Sequence, residues 1–82
     1  MRTLTIEAAS PESAEDFLSV LADFTAEAIE TADGKHLVSV AVTGDREIVE
    51  SLNVLEEHVS RRGRLARLEI DGQNYTLHPQ PA

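Results

Sequence analysis

Residues 24–42, FTAEAIETADGKHLVSVAV, decide the fold. The second part of this stretch, Leu37 to Val42, is the most apolar run in the chain and is rich in valine, which predicts a central strand. Asp33-Gly34 just before it is a hairpin signal. Both central residues of a type I′ turn take positive φ, which Asp tolerates and Gly adopts without steric penalty. Residues 24–32 have two readings. Paired through a two-residue turn they form a strand, with Ile29 opposite Val38, Thr25 opposite Val42 and Thr31 opposite His36. Ile29 then joins Val38, Val40 and Val42 on one face, and Glu27 comes to lie beside Val40. Alternatively, Ala26, Glu27, Ala28 and Glu30 have the propensity to continue the preceding helix. The strand is the reading carried forward.

On the N-terminal side, Thr3 to Glu7 alternate with Leu4 and Ile6 inward, a half-buried strand. Ser10-Pro11 starts a helix: Ser caps free amides, Pro suits the first helical position, and Glu12, Glu15 and Asp16 favour the positive end of the dipole. Its apolar face is Ala14, Phe17, Leu18 and Leu21, extending to Phe24. On the C-terminal side, Thr43-Gly44-Asp45 makes a short turn with Asp45 as the expected cap of a second helix. The face of that helix is Ile48, Val49, Leu52, Leu55 and Val59, Arg61 and Arg62 answer its negative end, and Gly63 takes the C′ position. A second Asp-Gly pair, Asp71-Gly72, closes a last hairpin that pairs Leu68 with Tyr75 and Ala66 with Leu77, Ile70 staying on the same face. Pro79 and Pro81 stop the final strand and leave a short tail.

The expected order is β-α-β-β-α-β-β in a single domain over residues 1–82, with two helices on one face of an antiparallel sheet: an α+β two-layer sandwich. The first six elements resemble the ferredoxin-like β-α-β-β-α-β (split βαβ) arrangement, which includes ACT-type regulatory domains, and the extra C-terminal strand would extend one edge. The resemblance is one of element order and rests on no family motif. With residues 24–31 helical, the order becomes β-α-β-α-β-β, which resembles TusA-like proteins and the C-terminal domain of bacterial translation initiation factor 3. TusA-like sulfur transfer depends on a Cys-Pro motif where this chain reads Ser10-Pro11, so that activity does not carry over.

Composition narrows the function classes. With no cysteine, thiolate metal sites, disulfides and a cysteine nucleophile are ruled out. The net charge of −8 repels nucleic acid and anionic membrane, so neither is an expected partner. No stretch reaches 18 apolar residues, and no basic n-region precedes an apolar one, so the expectation is a soluble, non-exported, cytoplasmic protein. An 82-residue chain is close to the size at which one core barely suffices, and a homodimer or a larger protein partner would add stability.

No catalytic constellation emerges, and no enzyme, cofactor or metal is expected. His36, His58 and His78 lie on different elements without metal-ligand spacing. Glu56-Glu57-His58 reads as a solvated helix surface, because adjacent helical residues point in different directions. The serines lack an elbow motif, and Thr43-Gly44-Asp45 is no phosphate loop.

Charge is polarised. Eight acids and no Lys or Arg lie between Thr3 and Gly34, whereas Arg61, Arg62, Arg64 and Arg67 fall within seven residues. Those four arginines are the candidate partner-binding residues, set against a purely structural role in which Arg61 and Arg62 complement the helix end and Arg67 pairs with Glu69 or with a neighbouring strand at the surface. Phe17, Phe24 and Tyr75 are all assigned to the core, so no exposed aromatic is expected for base stacking. The open sheet face is expected to carry Thr3, Thr5, Glu30, Leu37, Ser39, Ala41, Leu65, Arg67, Glu69, Asn74 and Thr76. The function expected is a non-enzymatic protein-interaction or regulatory module acting by self-association or docking. An ACT-like small-ligand sensor at a dimer interface is the alternative, and an RNA-binding accessory using the arginine patch is the third.

Overall fold

The computed structural model describes residues 2–79, and Pro81 of the expected tail lies outside them. The elements are β1 (Arg2–Ala8), α1 (Pro11–Val20), β2 (Thr25–Glu30), β3 (His36–Val42), α2 (Asp45–Arg62), β4 (Ala66–Ile70) and β5 (Gln73–Leu77). The fold is α+β: five antiparallel strands in the order β2-β3-β1-β4-β5, with the two helices packed against one face. Residues 25–30 are therefore strand, and the helical alternative is set aside. Alternation carries the packing. Leu4, Ile6 and Ala8 of β1, Val38, Val40 and Val42 of β3, and Ala66, Leu68 and Ile70 of β4 are buried under Phe17, Leu21, Ile48, Leu55 and Val59.

The β2–β3 hairpin departs from expectation by one register step. Glu30 pairs with His36, Ala28 with Val38 and Ala26 with Val40. The turn has three residues, not two. The Gly34 amide bonds the Thr31 carbonyl at 3.0 Å, and the Thr31 amide bonds the Lys35 carbonyl at 2.8 Å. Gly34 alone takes positive φ, at 85°, while Asp33 does not. This is a type I turn with a left-handed glycine after it, a three-residue hairpin geometry. The Thr31 hydroxyl donates to the Asp33 carboxylate and accepts from the Lys35 amide, closing the wider loop, and this bond holds the Asp33 carboxyl below its ordinary pKa. Because side chains alternate, one step exchanges the faces of β2. Ala26 and Ala28 lie on the helix side, Ile29 pairs with Leu37 and Glu27 with Ser39 on the open side, and Glu30 leaves the open face. Ile29 is 41% exposed, not a core residue.

The last hairpin has the expected register, with Asp71 at φ 52° and Gly72 at 82°, the two positive values of a type I′ turn. Ser10 caps α1, accepting from the Ser13 amide at 3.1 Å, and Gly63 ends α2 at φ 68°. Two helix details differ. Gly44, not Asp45, occupies the cap position of α2, and the Asp45 carboxylate binds Arg2 instead. Ser51, its hydroxyl donating to the Ile48 carbonyl at 2.9 Å, is buried where Val49 was expected, and Val49 is 55% exposed.

Candidate functional site

The four arginines differ in their partners and their placement. Arg61 lies on the last turn of α2 and pairs with Glu57 four residues earlier, a helix-surface ion pair. Arg62 reaches across to Asp16 of α1 at 2.8 Å and links the two helices. Arg64 stands in the α2–β4 connection, and Arg67 projects from β4 on the open face. Among the described residues neither is in an ion pair, and the expected Arg67–Glu69 bridge is not formed.

Arg62, Arg64 and Arg67 border a groove of about 360 Å³ at one end of the sheet, where β1 passes into α1 and α2 passes into β4; Arg61 stands outside it. The floor comes from the core itself: Ala8, Phe17, Val59 and Ala66 are buried beneath the opening. Leu65, 51% exposed, stands at its rim. The groove has two unlike walls. The β1–α1 segment supplies Glu7, Glu12 and Asp16, and the α2–β4 segment supplies the three arginines. The Asp16–Arg62 bridge crosses between helices and cancels one charge on each side. The β1–β4 register, continued from Ile6–Leu68, sets Glu7 beside Arg67 on the sheet, which leaves Glu12 on the α1 side and Arg64 in the α2–β4 connection. Ser10, whose hydroxyl accepts from the Ser13 amide in the helix cap, and Ser13 add hydroxyls on the α1 side.

His58 also borders this groove. It is half-buried, its ring centroid 5.2 Å from that of Phe17 at a tilt of 60°, and so it is not the solvated surface residue expected from the sequence. Burial, reinforced by Arg62 and Arg61 and opposed by Asp16, pushes its pKa below the ordinary value, favouring neutral imidazole.

A second hollow of about 550 Å³ lies on the open sheet face, lined by Thr5, Leu37, Asn74 and Thr76 among others. Glu7 and Arg67 border both hollows. Tyr75, expected in the core, is 46% exposed on edge strand β5, its hydroxyl donating to the Gln73 side chain at 2.9 Å. His36 lies on β3 and His78 beyond β5; no group of three or more His, Asp or Glu suited to holding a metal ion occurs among the described residues. No helix among them is long and apolar enough to cross a membrane.

The sequence singled out the arginines and the acidic N-terminal segment, but not which acids of β1 and α1 border the same groove. Asp16 and Arg62 are 46 positions apart, and no local pattern connects them. No protein-family model, curated protein or solved structure matches this chain.

Proposed function

We propose that this protein is a small non-enzymatic interaction or regulatory module, cytoplasmic, that self-associates or docks on a larger protein through the uncovered face of its sheet. The observation carrying this reading is the one-sided packing. Both helices cover the same face, and the other presents the directly opposed pair Ile29 and Leu37 beside the short side chains Thr3, Thr5, Ser39 and Ala41. Small residues allow a second surface to approach closely, and the apolar pair supplies an anchor. Arg64 and Arg67, free of ion pairs among the described residues, are the members of the arginine cluster available to steer an acidic partner. The test is absolute mass by light scattering after size exclusion, at low and high salt. A particle of twice 9.0 kDa that reverts to monomer in Ile29→Lys/Leu37→Lys supports the reading. If the mass of a dimer survives both substitutions, the contact lies elsewhere and the face has no such role.

The second reading is a small-ligand sensor of ACT-like type. It is supported by the strand order β2-β3-β1-β4-β5, compatible with a split βαβ arrangement extended at one edge, and by the groove at the β1–α1 junction. A thermal-shift screen across amino acids and nucleotides tests it, since a ligand that binds only the folded chain raises its Tm.

A further inference from the structure

We infer that the groove between the β1–α1 and α2–β4 segments is a site for a small dipolar molecule, one with an ammonium and a carboxylate at opposite ends of an apolar body. The inference rests on the small-ligand reading above and names the chemistry of its ligand. A volume of about 360 Å³ is at the small end of ligand sites. The charge arrangement sets the class. Asp16 and Arg62 neutralise each other at 2.8 Å, and Glu7 and Arg67 are neighbours across the β1–β4 ladder, so the groove keeps Glu12 on the α1 side and Arg64 on the α2–β4 side. A simple anion meets Glu12, and a simple cation meets Arg64. A molecule carrying both charges satisfies both walls. Between the walls the floor is Ala8, Phe17, Val59 and Ala66, with Leu65 at the rim, so the middle of the ligand is hydrocarbon. Charges on opposite walls fit groups at opposite ends of a molecule better than two charges borne by one carbon.

The test uses the full chain and the probe 6-aminohexanoate, compared by calorimetric titration with hexanoate, hexylammonium and norleucine. The expected result is binding of 6-aminohexanoate about tenfold or more tighter than either singly charged analogue. Glu12→Gln and Arg64→Gln, both at exposed positions, should each weaken it about tenfold, and Glu12→Gln should leave or improve hexanoate binding. Circular dichroism confirms that the variants fold. Hexanoate binding as tightly as 6-aminohexanoate makes this an anion site and overturns the inference; so does a preference for norleucine, which carries both charges on one carbon. If none of the four binds while the thermal-shift screen yields another ligand, the inference falls and the sensor reading stands. If nothing binds in either experiment, both fall, and the sheet-face proposal is untouched.

Discussion

Single residues carry the local decisions of this fold, and glycine carries several of them. Gly34 holds φ 85° as the residue that closes the three-residue hairpin, and a Cβ placed there meets nothing within 4 Å. Substitution therefore costs backbone strain alone. Gly34→Ala should lower stability by about 1 kcal/mol without changing the fold, read as a shifted urea midpoint at constant slope. His58 is a different case, because its charge is what matters. Its folded-state pKa lies below the ordinary 6.5, chiefly through burial, so as pH falls the unfolded chain takes up this proton first. The contribution of His58 is complete above about pH 6.5 and is lost as pH falls from there through the folded-state value. Urea unfolding at about pH 7.5 and about pH 5.5 should show reduced stability at the lower pH, and His58→Gln should flatten that difference.

At the scale of elements, rotation and register decide what the core contains. The apolar stripe of α2 runs through Ile48, Ser51, Leu55 and Val59, and Val49 points away. Periodicity alone admits either assignment, since 49 and 51 both flank a stripe through 48, 52 and 55. A buried serine is tolerated because its hydroxyl bonds the Ile48 carbonyl within its own helix. The two positions should behave oppositely. Leu55→Ala, at a fully buried site, should cost about 2–5 kcal/mol, and Val49→Ala should stay within about 0.5 kcal/mol, both by chemical denaturation. The register of β2 follows the same logic. A three-residue turn puts alanines over the core and moves Glu27 beside Ser39, which removes the conflict of a glutamate set against Val40. In the sequence that conflict counts against the strand itself; the longer turn keeps the strand and removes it.

For the molecule as a whole, stability is of the order of 4–12 kcal/mol for a chain this short, so one core substitution removes a large part of it. Long-range ties at the periphery supplement the core. Arg2 at the start of β1 binds Asp71 in the β4–β5 turn at 2.5 and 2.8 Å and Asp45 at the start of α2 at 2.5 Å, joining segments distant in sequence. These are exposed charges, so Arg2→Gln should give a small drop in Tm that shrinks as salt is raised, measured by calorimetry. The sequence by itself determined the elements outside residues 24–32, the Ser10 cap, the Gly63 stop and the register of the last hairpin. Each depends on residues within a few positions of one another, where propensity, capping and turn geometry act without help. Only the tertiary structure decided that residues 25–30 are a strand, and with it the register of β2, the rotation of α2, the exposure of Tyr75 and the pairing of Asp16 with Arg62. It also divided the arginine cluster into two side chains in ion pairs and two in none among the described residues, and brought Glu7, Glu12 and Asp16 to the same groove. Those features arise where segments far apart in sequence meet, and there packing and charge choose among arrangements that local preferences leave equal.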